Sequence, residues 1–248
     1  MAKMTHLMVD LETMGTNPNA PIVAIGAVFF DPMTGELGPD FYRVVTLKSE
    51  LQMGAKPDAE TIDWWLTQSD AARGAITSGE RLHIVDALSQ LTEFVTGYSS
   101  DSGLNRLQFW GNGASFDPVI LRSAYARCNV PEFWKFWNDQ DVRTVVALGR
   151  AIGFDPKRDH PFSGERHHAL ADAIHQAEYV AAIWQRLLVP HKNPLPASAL
   201  RAVYAAAYNH GHLNTADGIA YQNDVESEFE HRALAVFAEE SELQEVKC

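Results

Sequence analysis

The chain has 248 residues and carries 20 Lys+Arg against 32 Asp+Glu, a formal net charge of −12. That balance excludes a protein that coats duplex nucleic acid or an anionic membrane through a broad basic surface. An apolar content of 46% with 21% charged residues excludes global disorder and suits one large domain, or one domain with an appendage. The longest clean apolar run, Ile22–Phe30, falls far short of the roughly 20 residues a membrane helix needs. The opening MAKMTHLMVD reaches Asp10 too soon to hold a signal-peptide core. Cys128 and Cys248 stand far apart in no metal-ligand spacing, so both read as free thiols, and the expectation is a cytoplasmic protein with no membrane partner.

Three strands are predicted first. In His6–Glu12, Leu7, Val9 and Leu11 alternate with Met8, Asp10 and Glu12. Ile22–Phe30 is apolar on both faces, as a central strand would be, and ends in the turn string DPMTGE. Phe41–Leu47 returns as an antiparallel third. Helices follow at Ala59–Gln68, with Asp58 as a cap, and at Ile84–Val95. Leu107–Trp110 is a short strand running through GNGASFD into a helix over Pro118–Cys128, with Pro118 in its first turn. Val142–Ile152 is stopped by Gly153. In His168–Leu188, the positions Leu170, Ile174, Ala177, Ala181, Trp184 and Leu188 define a single buried stripe. A strand meander followed by strand–helix alternation indicates an α/β fold with a mixed sheet.

Three features carry chemistry. Asp10 and Glu12 lie two residues apart on a strand, about 6.6 Å of rise, and so point to one side. The pair also fits a solvated face, but the strand ends at Met14-Gly15-Thr16, where backbone amides can approach a phosphate or sugar. Asp117 reads either as a helix cap or, because Gly111 and Gly113 mark a strand end, as a residue at the edge of an α/β site. The same string fails as the serine-hydrolase elbow Gly-x-Ser-x-Gly, since Asp117 holds its last position. In RHHALADAIHQ, Asp172 faces away from the expected stripe, with His168 four residues and His167 five residues before it. Periodicity does not choose between the two histidines.

Together these strings resemble the DEDDh (DnaQ-like) 3′–5′ exonucleases of the ribonuclease H-like fold. Asp10-Leu11-Glu12-Thr13 is similar to that family's first motif, Asp117 in NGASFD to its second, and His167 to Asp172 to its third, across residues 6–188. TIDWWLTQ at 61–68 further resembles the phage-type (DexA-like) subgroup. The resemblance implies a mixed five-stranded sheet, three strands antiparallel and the rest parallel, with helices on both faces. It also implies two Mg²⁺ or Mn²⁺ ions held by Asp10, Glu12, Asp117 and Asp172, since hard cations take carboxylate oxygens. Asp10, Glu12 and Asp172 would hold the ion that activates water; Asp10 and Asp117 would hold the one beside the leaving 3′ oxygen. It picks His167 over His168 as general base, a role suited to imidazole, which titrates close to neutrality.

The implied activity is hydrolysis of a single-stranded 3′ end to nucleoside 5′-monophosphates, DNA before RNA. Met14, Gly15 and Thr16 resemble the segment that meets the terminal nucleotide, and Trp64, Asn112 and Phe116 join them as substrate contacts. In TIDWWLTQ, Trp65 shares a helical face with Ile62 and Leu66 and reads as core, which leaves Trp64 to stack on a base. Arg143, Arg150, Lys157, Arg158 and Arg166 form a locally basic stretch that could guide a strand. Residues 1–189 make the nuclease domain. Residues 190–248 read as a helical acidic extension, net −6 from Asp224 onward, and as a surface for a second copy or another protein. A non-catalytic nucleic-acid- or protein-binding module on the same fold is the alternative of another class.

Overall fold

The computed structural model describes residues 4–99, 104–162 and 166–188. Its sheet runs from one edge to the other as β4 (Arg81–Leu82), β3 (Leu37–Val45), β2 (Ile22–Phe30), β1 (His6–Thr13), β5 (Gln108–Gly111) and β6 (Asp139–Asp141). The first three strands form an antiparallel meander, while β5 lies parallel to β1 and β6 parallel to β5. The ribonuclease H-like architecture is therefore present, with six strands where five were expected. The addition is β4, two residues paired parallel to the edge of β3.

Because β1 and β2 lie inside the sheet, both faces of each need cover. Leu7, Val9 and Leu11 pack with α4 (Ile84–Tyr98) and α5 (Asp117–Cys128) through Leu88, Leu91, Ile120 and Tyr125. On the opposite face, Met8, Val28 and Phe30 pack with α6 (Val142–Ala151) and α8 (Ala169–Leu188). A smaller cluster joins Val23 and Ala24 to Trp65 of α2 (Ala59–Leu66) and to Ala72 and Ile76 of α3 (Asp70–Thr77), with Leu47 of α1 (Leu47–Gln52) packed against it.

The stripe expected on α8 is rotated by one residue. Ala177 and Ala181 of the expected stripe are buried, but the line is centred on Ala169, Ala173, Gln176, Val180 and Ile183, whereas Leu170, Ile174 and Trp184 flank it and Leu188 is exposed. The cause is close approach: a Cβ on Gly26 would lie 2.2–2.4 Å from backbone atoms of Ala169 and Leu170. Where a helix rests its backbone on a sheet, alanine fits beneath it and larger side chains spread to the sides. Leu66, expected on the buried face of α2, is 67% exposed because Trp65 alone fills that contact. Asp58 stands at the cap position of α2 but makes no capping bond. Cys128 is a buried free thiol. Among the described residues no helix is long and apolar enough to cross a membrane. The extension expected over 190–248, with Cys248 and the partner surface assigned to it, lies outside the described residues.

Candidate active site

The carboxyl ends of β1 and β5 lie side by side, and Asp10 and Glu12 project there toward α8. Asp10 sits opposite Gly26 in the β1–β2 ladder, so the glycine that lets α8 descend is Asp10's direct neighbour. A register shift between Glu12 and Thr13 ends regular pairing at the site. Carboxylate oxygens of Asp10, Glu12 and Asp172 come within 4.8 Å of one another, a set able to hold a metal ion.

Asp117 does not cap α5. It occupies the first turn, fully buried, and the loop leading into it closes the end of β1. Beyond the last β1–β5 pair, Met8–Trp110, the Leu11 N–H has lost its ladder partner and donates instead to Asp117 Oδ1 at 3.1 Å. The Asn112 N–H donates to Oδ2 at 3.0 Å. Gly111 makes room for this turn, since a Cβ there would stand 3.0 Å from Asp117 Cβ.

The two histidines separate by geometry. The His168 ring stacks on Tyr42 at 4.4 Å, and its Nδ1 accepts from the Ala171 N–H at 3.4 Å. The His168 N–H donates in turn to Asp172 Oδ2 at 3.2 Å, so this pair starts the helix in the manner of a capping box. His167 turns the other way from a left-handed backbone, φ 63°, a conformation uncommon outside glycine. Its ring stands edge-to-face on Trp64 at 4.9 Å and lines the cavity with Asp172.

Packed this closely, the buried acids raise one another's affinity for protons. Burial and repulsion from Asp117, Glu12 and Asp172 push Asp10 well above the usual carboxylate range, against a hydrogen bond from Gln176. Burial, then Asp172 and Asp117, raises Glu12 to about 8. Burial raises Asp117 to about 7 against its backbone hydrogen bonds and Arg143. Asp172 is also raised by burial, against the His167 and His168 N–H groups. Such a cluster is held protonated or offset by bound positive charge.

The surrounding cavity, about 800 Å³, takes in Gly15, Thr16, Trp64, Asn112 and Phe116 of the expected substrate contacts. Met14 is not on its wall but packs against the Val23–Trp65 cluster. Trp64 is 42% exposed; Trp65 is buried and its indole N–H donates to the Thr13 carbonyl at 2.9 Å. Asp58, read as a cap, holds the Thr16 turn instead, accepting from the Thr16 N–H at 2.6 Å and from Asn17 Nδ2 at 2.9 Å. Gln176 was missed. Its Nε2 donates to Asp10 Oδ1 at 2.7 Å, and its Oε1 is buried without a partner. The signal was an amide four residues beyond Asp172, on the same face of the helix. Of the basic stretch, Arg143, Arg150, Lys157 and Arg166 line a second cavity of about 710 Å³ that meets the first at Asn112, His167 and Asp172. Arg158 instead pairs with Asp159 at 2.7 Å.

The family model of the 3′-5′ exoribonuclease Rv2179c-like domain matches residues 5–184. The chain belongs to that family. It is a 3′–5′ exonuclease. It is also similar to an exodeoxyribonuclease of Enterobacteria phage T4, 27% identical over 164 residues covering 58% of this chain and 71% of that protein. Similar solved structures include the nuclease domain of 3′hExo, described as a DEDDh family member bound to rAMP. That domain is 13% identical, with 76% of this chain and 96% of the other covered and a TM-score of 0.46. Cell-death related nuclease 4 (CRN-4) gives 13% identity, 75% and 64% coverage and a TM-score of 0.49. The family match spans every residue of the acid cluster, from Asp10 to Asp172.

Proposed function

We propose that this exonuclease removes nucleotides from the 3′ end of single-stranded DNA with two divalent ions, Mg²⁺ or Mn²⁺. The observation that carries the reading is the convergence of Asp10, Glu12 and Asp172 within 4.8 Å, coupled by charge to Asp117. The donor set fits such ions: it is all hard oxygen, and the unpartnered Gln176 Oε1 lies buried beside it. Asp10, Glu12 and Asp172 would hold the ion on the water side, and Asp10 with Asp117 the ion on the leaving-group side. When bound, two such ions make water a better nucleophile at neutral pH and offset charge on the departing oxygen.

The remaining work belongs to the chain's own groups. A His167 imidazole nitrogen takes the proton from the attacking water, a role worth roughly 10²–10⁴ in rate. Trp64 stacks on the terminal base, and Gly15 and Thr16 meet its sugar, held by Asp58. Asn112 and Phe116 close the other wall. Charge orients the strand. Among the described residues, the first cavity is lined by Asp10, Glu12, Asp58, Glu60 and Asp172 with no Lys or Arg, which suits the sugar and base of the terminal nucleotide, released with its 5′-phosphate. The second, lined by four cations, suits the phosphates of the strand that remains. RNA is the second reading, favoured by the family's description as exoribonucleases.

The test is 5′-labelled single-stranded DNA and RNA incubated with Mg²⁺, Mn²⁺ or EDTA. A ladder shrinking from the 3′ end, faster on DNA and abolished by EDTA, is the expected result. Faster shortening of RNA would move the assignment to the second reading. No shortening of either strand with Mn²⁺ would overturn the proposal and leave a non-catalytic module.

A further inference from the structure

On the far wall of the second cavity, His160 from the turn after α7 (Pro156–Asp159) faces His175 of α8, and Glu178 stands three residues further along the same helix. His160 Nε2 is 3.0 Å from Glu178 Oε2, and the two imidazoles lie at 5.2 Å between centroids, 24° from parallel. Each of the three offers a ligating atom, and these atoms all fall within 4.8 Å of one another. None of them belongs to the acid cluster.

We propose that His160, His175 and Glu178 form a second metal site, selective for a borderline transition ion of the Zn²⁺ class. Two imidazoles and one carboxylate are a donor set for Zn²⁺, whereas Mg²⁺ takes oxygen. Bonds of about 2.0–2.2 Å set ligand atoms roughly 3.3–3.6 Å apart around a tetrahedral ion. The His160–Glu178 pair, at 3.0 Å, already stands near that separation, and His175 offers a ring nitrogen within 4.8 Å of both. Positions i and i+3 put His175 and Glu178 on one helical face, so two of the three ligands come pre-oriented. Phe162 and Tyr179 stand edge-on to the His175 ring at 4.9 Å and 5.2 Å and restrict its swing.

Three protein ligands leave an open position for water. The ion would tie the turn after α7 to α8. Cations in the same cavity oppose a dication, but Arg150 is paired with Asp155 and Arg166 lies over Phe162, which moderates their effect. The competing description is a plain His160–Glu178 ion pair, which needs no part of His175.

The test uses the full chain carrying Asp10→Asn and Asp172→Asn, so that the acid cluster is silenced. Zn²⁺ is titrated against a chromophoric chelator, and Co²⁺ is followed by its visible absorption. One equivalent bound at micromolar affinity or tighter is expected, undisturbed by millimolar Mg²⁺. His160→Ala and His175→Ala should each weaken it about tenfold or more, while His83→Ala, at the start of α4, leaves it unchanged. Circular dichroism checks each variant, and Glu178→Gln, which keeps shape, replaces any that unfolds. The absence of a bound equivalent in the parent, displacement by Mg²⁺, or full affinity in His175→Ala would each overturn the site.

Discussion

Gly26→Ala tests whether the site depends on how closely α8 rests on the sheet. The new Cβ would meet Ala169 C at 2.2 Å, Leu170 N at 2.3 Å and Ala169 O at 2.4 Å, all backbone atoms that no rotamer change can move. Ordinary contact begins at 3.4 Å, so the first turn of α8 must lift by about 1.2 Å. Asp172 rides on that turn, while Asp10 sits opposite residue 26 on the strand below. The lift therefore opens the distance between two carboxylates assigned to one ion. Overpacking of this kind costs about 1–3 kcal/mol, within reach of a domain this size. A misplacement near 1 Å costs roughly 10²-fold in turnover. The variant should thus melt cooperatively at a lower temperature, bind Mn²⁺ more weakly by calorimetry and lose about two orders of magnitude in kcat. Gly97→Ala is the control: it lies in α4 with nothing within 4 Å of its added Cβ, and should leave Mn²⁺ binding and turnover alone. Wild-type Mn²⁺ affinity and turnover in Gly26→Ala would refute the link between helix height and site geometry.

His167→Ala should keep Mn²⁺ binding but lose roughly 10²–10⁴ in turnover, whereas His168→Ala should lose stability through its stack and cap and keep most turnover; equal losses would end the distinction. Gln176→Leu should weaken Mn²⁺ binding by about 10–100-fold, the usual effect of removing a group that orients a ligand, and unchanged affinity would remove Gln176 from the site. Without metal, the native state holds protons on Glu12 and Asp117 that the unfolded chain releases, since their native values stand at about 8 and about 7. Their contribution to stability is full below the ordinary carboxylate range and is lost as pH rises through about 8. The melting temperature in EDTA, compared with that of Glu12→Gln, should accordingly fall from pH 5 to pH 8.5, and Mn²⁺ should restore it most at the alkaline end. A wild-type profile parallel to that of Glu12→Gln would contradict the raised value.

What could be read in advance follows from how each element earns its place. The nine-residue run of β2 and the alternation of β1 announce themselves because burial on one or both faces selects apolar residues there. The first residues of β3, Leu37 to Asp40, are exposed or half-exposed and include Gly38 and Pro39, so Phe41 looked like the start. β6 is the polar tripeptide Asp139–Asp141, held as a strand by the open edge of β5 and by nothing in its own composition. The acids were legible as candidates because the strings around them, Asp10-Leu11-Glu12-Thr13, NGASFD and His167 to Asp172, resemble one family together. Gln176 and the true place of Asp58 were not, because both act through partners distant in sequence, Asp10 and the Thr16 turn.

The same long-range assembly alters what the net charge of −12 means. In sequence order the acids and bases are mixed. Folding sorts them: among the described residues, five acids and no Lys or Arg lie on the wall of one cavity, and Arg143, Arg150, Lys157 and Arg166 on the wall of the next. On the proposed reading an acidic chain holds a strand end without a basic coat, because the cations that would meet phosphate are few and local. Each phosphate neutralised on a single strand contributes about 0.7 to the logarithmic salt slope. Four cations, one of them already paired with Asp155, limit that slope to about −3 or less in magnitude. Binding of single-stranded DNA measured across salt concentrations in Ca²⁺ should stay within that limit. A slope near −6 would mean that the strand follows a longer basic path than these two cavities supply.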